Sequence, residues 1–71
     1  MIDMKAFGKR LKELRRDKKL TQKQLAAFLK VSGNTICSWE NDKQEPSMAD
    51  LLKLSETFEV TLDYLFGKDD Y

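Results

Sequence analysis

In 71 residues, 41% apolar and 35% charged, with one cysteine and no histidine, there is material for one small hydrophobic core but not for a second domain, an internal disulfide or a zinc site. No apolar run approaches the roughly 20 residues that span a bilayer, and the N-terminus lacks the apolar core of a signal peptide, so a cytoplasmic protein is expected, with no membrane partner and no cofactor. The net charge is only +1, yet residues 1 to 44 carry eleven Lys or Arg against five Asp or Glu, +6, and residues 45 to 71 carry two against seven, −5, which turns the first half toward anionic partners and keeps the second away from them.

The first predicted helix runs from about Asp3 to Lys18, with Phe7, Leu11 and Leu14 at i, i+4 and i+7 as its buried stripe. Arg15, Arg16, Lys18 and Lys19 crowd its last turn, where cations suit the negative end of the helix dipole. Lys5, Lys9, Lys12, Lys18 and Lys19 read as its solvated face. A second helix opens at Thr21, whose hydroxyl and Gln24 three residues on form a capping box. Leu25, Phe28 and Leu29 make its apolar stripe, and Ala26 and Ala27 let another helix come close.

This helix ends near Lys30, and Ser32 caps a third, anchored by Ile36 and Trp39. An ordinary surface helix would carry long Lys, Glu and Gln side chains outward. Here the outer face is Gly33, Asn34, Thr35, Cys37 and Ser38, poor helix formers that are short and able to hydrogen-bond, so the backbone can lie close to base edges in a DNA major groove. Periodicity alone is equally compatible with a helix pair whose polar face is merely solvated. Pro46 and Ser47 start a fourth helix, with Ser47 and Asp50 as another capping box and Met48, Leu51, Leu52 and Phe58 as its stripe. Thr61 caps a short fifth helix in which Leu62, Leu65 and Phe66 share a face, Gly67 stops it, and residues 68 to 71 form a frayed tail. Nothing points to strands, repeats or low-complexity linkers.

The run LTQKQLA from Leu20, then VSGNTICSWEN from Val31, EPS from Glu45 and VTLDYLFG from Val60, in this order and spacing, closely resembles the XRE-type helix-turn-helix family, which includes the lambdoid phage repressors and Cro proteins. The similarity extends from about Phe7 to Gly67. It implies an all-α, five-helix, lambda-repressor-like DNA-binding domain over residues 1–67, with the second and third helices as the helix-turn-helix and the others bracing it. By the same resemblance Asn34 and Ser38 project into the major groove, where the paired donor and acceptor of Asn34 suit adenine. Gly33 aligns with a position that often carries a long base-reading side chain and offers only backbone, while the Cys37 thiol faces the groove edge and a thymine methyl, or simply fills the helix.

Phosphate contacts are implied for Gln22, which also braces the recognition helix in such repressors, and for Ser32, Thr35, Asn41 and Lys43. Asp42 and Lys30 stand where glycines are common, and Arg15 and Glu40 match a partly buried ion pair joining the first helix to the third. One such module covers few base pairs, so a homodimer on an inverted repeat is expected, its half-sites one turn, about 34 Å, apart. Leu62, Tyr64 and Phe66 are the expected dimer surface. The functional expectation is a sequence-specific double-stranded DNA-binding transcription regulator acting as a repressor. A different class fits the same scaffold: a protein-interaction module, antitoxin-like, that meets a protein partner through its acidic half; such a partner could also modulate DNA binding. An enzyme is not expected, since the chain has no histidine, no nucleophile beside a base and no glycine-rich phosphate loop.

Overall fold

Four hydroxyl side chains set where the helices begin. A computed structural model describes residues 4–68, with side chains from Ala6 onward, and contains five helices: α1 (Met4–Asp17), α2 (Gln22–Leu29), α3 (Gly33–Glu40), α4 (Met48–Phe58) and α5 (Leu62–Leu65). The described residues include no strand, so the expected all-α architecture holds. The expected start at Asp3 and the tail residues 69–71 lie outside the described residues.

Thr21, Ser32, Ser47 and Thr61 each adopt extended backbone and accept the N–H of the residue three positions on, satisfying one of the orphan donors at each helix start. At Thr21 the box is complete, because the Gln24 side chain accepts the Thr21 N–H at 2.8 Å. At Ser47 it closes differently: the hydroxyl donates to the Asp50 carboxylate at 2.9 Å, since the aspartate is one methylene shorter than the usual glutamate.

The helix ends share a second device. Lys19, Lys30, Asp42, Glu59 and Gly67 all have φ between 55° and 76°, and the N–H of the following residue reaches back five positions: Leu20 to Arg15, Val31 to Ala26, Lys43 to Ser38, Val60 to Ser55 and Lys68 to Asp63. Each is a Schellman stop. In three of them the following residue is apolar, and Leu20, Val31 and Val60 pack against the core, so a single turn both ends the helix and contributes burial.

That core comprises Phe7, Leu11, Leu25, Ala26, Leu29, Ile36, Trp39, Leu51, Leu54, Phe58 and Leu65. Six members of the expected stripes stay outside it: Phe28, Met48 and Leu52 are exposed, and Leu14, Leu62 and Phe66 are partly buried against it. A short helix buries a narrow arc, and in α2 that arc is Leu25, Ala26 and Leu29. In α4 it is Leu51, Leu54 and Phe58, with Leu54 taking the inward position that the spacing had offered to Leu52. Leu14 is only half-buried. The last helix docks on the first: the Phe66 ring lies 6.2 Å from that of Phe7, and the Arg10 guanidinium sits 4.4 Å from the centre of the Tyr64 ring, a cation–π contact.

Candidate nucleic-acid interface

α3 is anchored by two side chains and braced by a third. Ile36 and Trp39 are almost fully buried, which fixes the roll of the helix and turns Ser32, Asn34 and their neighbours outward. Glu40, the last residue of α3, fixes its tilt. Its carboxylate accepts two bonds from Arg15, Nε at 2.6 Å and Nη2 at 3.1 Å, and a third from Gln22 Nε2 at 3.0 Å. Arg15 Nη1 donates to the Leu20 carbonyl at 2.7 Å. The Arg15 and Glu40 side chains are only 10% and 2% exposed.

The desolvation of this ion pair is offset by bidentate geometry and by two further bonds. The network joins the end of α1, the α1–α2 turn, the start of α2 and the end of α3, so its work is orientation. The expected Arg15–Glu40 pair is present. Gln22 reaches it as well, in keeping with the bracing role implied by resemblance.

Gly8 adds a contact that the sequence patterns did not single out. A Cβ built there would lie 2.7 Å from the Glu40 carbonyl oxygen, 2.8 Å from that of Trp39 and 2.9 Å from Asp42 Oδ1. α1 therefore touches the backbone at the end of α3 through a residue with no side chain. The available signal was its place: Gly8, Leu11 and Arg15 fall on one helical face, and Leu11 and Arg15 are both buried.

Of the expected contact residues, Gln22, Ser32, Gly33, Asn34 and Cys37 come together, with Lys23, around one shallow depression between α2 and α3. Asn34 is exposed and Cys37 half-buried. Nothing lies within 4 Å of a Cβ built on Gly33, so its side of the depression is open rather than tightly packed. Lys23 was not among the expected residues; its only signal was a position next to Gln22. The Ser32 and Thr35 hydroxyls bond each other at 2.9 Å while Ser32 caps the helix. Ser38 is half-buried, and Asn41 and Lys43 are exposed beyond the end of α3. The Asn41 amide turns back onto its own helix, donating to the Cys37 carbonyl at 2.9 Å and to Cys37 Sγ at 3.3 Å.

In and just after α5, Leu62, Tyr64 and Phe66 are all half-buried, Phe66 against Phe7 and Tyr64 beneath Arg10. Among the described residues, no group of three or more His, Cys, Asp or Glu side chains is arranged to hold a metal ion, and no helix is long and apolar enough to cross a membrane.

A family model described as helix-turn-helix matches residues 11–65. The chain is 43% identical over 65 residues to the HTH-type transcriptional regulator ImmR of Bacillus subtilis, covering 92% of this chain and 51% of that protein. It is 42% identical over 64 residues to the HTH-type transcriptional activator BcrR of Enterococcus faecalis, covering 90% of this chain and 31% of that one. It thus spans about half the length of the first relative and a third of the second. Among solved structures, the P22 c2 repressor in complex with a synthetic operator superposes with a TM-score of 0.82 at 33% identity, covering 89% of this chain and 96% of that one.

Proposed function

Because this chain belongs to the helix-turn-helix family, we propose that it is a DNA-binding transcription regulator that lays α3 in the major groove of double-stranded DNA. Asn34 and Ser38 read base edges, with Gly33 and Cys37 allowing close approach. Gln22, Ser32, Thr35, Asn41 and Lys43 hold phosphates and set the register. Residues 1–67 form the DNA-binding domain, residues 68–71 its tail, and the site of action is the cytoplasm. No catalytic role is proposed.

The observation that carries this reading is the division of α3. Two large residues lock it inward, a buried ionic brace sets its tilt, and its outer face holds only short side chains beside the basic first half of the chain. Repression is proposed because the chain superposes on the P22 c2 repressor in complex with a synthetic operator with a TM-score of 0.82 at 33% identity. Binding is proposed to be dimeric, on an inverted repeat, with Leu62, Tyr64 and Phe66 at the interface, because one recognition helix covers too few base pairs for useful selectivity.

The test is selection from a random duplex library, followed by affinity against salt on the winning sequence, where each phosphate contact adds roughly −0.9 to the log–log slope. An enriched inverted repeat with half-site centres about ten base pairs apart, its binding lost in Asn34→Ala, supports the reading. Failure to enrich any sequence overturns it and favours a protein-interaction module.

A further inference from the structure

Three large apolar side chains are exposed among the described residues: Phe28 at 69%, Met48 at 63% and Leu52 at 50%. They fall on two surfaces of opposite charge. Phe28 borders a groove lined by Lys18, Leu20, Gln24, Thr57 and Phe58, and exposed Lys19 follows Lys18 in the α1–α2 turn. Met48 and Leu52 stand one turn apart on α4, and the same strip continues to exposed Glu56 and Glu59, with exposed Glu45 ahead of it. The buried positions of α4, Leu51, Leu54 and Phe58, separate the Leu52 flank from the Thr57 flank that walls the groove. The two surfaces therefore do not overlap on one molecule.

We propose that they are the two halves of one contact, in which the Met48–Leu52 strip of one copy of this chain docks into the Phe28 groove of another. The strip has the i, i+4 apolar spacing of a helix that lies in a groove. Its carboxylates at Glu56 and Glu59 then meet Lys18 and Lys19. Like-with-like pairing is disfavoured by the same charges: strip against strip brings Glu45, Glu56 and Glu59 of both copies together, and groove against groove does the same for Lys18 and Lys19. None of these residues is among the proposed DNA contacts or the proposed α5 dimer surface, so the inference stands apart from the DNA-binding reading. A head-to-tail contact leaves one free strip and one free groove, so copies can continue to add in a row.

Sedimentation velocity of the full chain at low salt tests this, with Phe28→Glu and Leu52→Lys as variants. Both sites are exposed, and unchanged thermal melting will show that both variants fold. The parent chain is expected to form species larger than the proposed α5 dimer as its concentration rises, and added salt should weaken that trend. Each variant alone should need about tenfold or more protein to reach those larger species. An equimolar mixture of the two should regain association, because each supplies the half the other lacks. A parent that grows no larger than a dimer at any concentration overturns the proposal, as does a mixture no better than its components. Loss in Leu52→Lys with none in Phe28→Glu also overturns it, since that pattern belongs to a strip paired with itself.

Discussion

At its C-terminal end α3 is gripped from three sides: Arg15 and Gln22 hold the Glu40 carboxylate, and Gly8 of α1 lies against the backbone of Trp39 and Glu40. At its N-terminal end the helix is free, with a serine cap, a glycine whose Cβ would meet nothing and an exposed asparagine. In the proposed function, the difference separates aiming from reading. On that reading, a surface that must lie within hydrogen-bond reach of base edges needs its angle fixed from behind, by Arg15 and Gly8 and by a Gln22 that both braces Glu40 and is proposed to hold phosphate, and an outer face free of packing duties. Substitutions at the gripped end should therefore change stability and affinity together, and those at the free end affinity alone.

Arg15→Ala should have the largest effect. It leaves the Glu40 carboxylate buried with one remaining side-chain donor, Gln22, at a cost of about 3 kcal/mol in stability, read from chemical denaturation. DNA affinity should fall with it, because α3 loses its brace. An unchanged denaturation midpoint would show that the pair does not hold the helix, and the contrast between the two ends would collapse.

Gly8→Ala comes next. The new methyl would meet two backbone carbonyl oxygens, at 2.7 and 2.8 Å, and these cannot yield without moving α3. Overpacking of about 2 kcal/mol should outweigh the ~1 kcal/mol that alanine gains over glycine inside a helix. A variant more stable than the parent would mean that the end of α3 gives way easily. Asn34→Ala sharpens the other side of the comparison: with its side chain exposed, melting should be unchanged, while discrimination for the selected base pair over its alternatives should drop by about 1–3 kcal/mol, measured by competition binding.

The same contrast governs how much could be read before the structure. Helix starts were legible because a cap acts within three residues: Thr21, Ser32, Ser47 and Thr61 all stand where expected. Two of the helix ends were less so, since Lys19 and Glu59 are not residues that announce a left-handed stop, and the apolar residue after each does part of the work. Spacing could not tell Leu54 from Leu52, because both lie within one turn of other apolar residues and the choice is made by what packs against α4. The bracing role of Gln22 came only from family resemblance, as its bond to Glu40 spans 18 positions. Gly8 escaped notice because its one signal was its place on the face of Leu11 and Arg15, and a missing side chain adds nothing to an apolar stripe.

Lys30→Gly has the smallest expected effect and tests the turn that joins the two helices of the helix-turn-helix. Lys30 ends α2 at φ 62° and ψ 42°, a conformation that costs a residue with a Cβ about 1–2 kcal/mol. Glycine removes that strain but adds entropy to the unfolded chain and gives up a cation at a helix C-terminus, worth a few tenths of a kcal/mol. The net gain should be up to about 1 kcal/mol in denaturation. Because the Lys30 N–H already bonds the Ala26 and Ala27 carbonyls, and that of Val31 bonds Ala26, the turn geometry is set by backbone and should not change. Base discrimination should therefore match the parent's, with overall affinity lower only as far as one lost positive charge requires. A stabilised variant with altered base preference would show that strain at Lys30 helps to aim α3, placing part of the aiming at the end that is otherwise free.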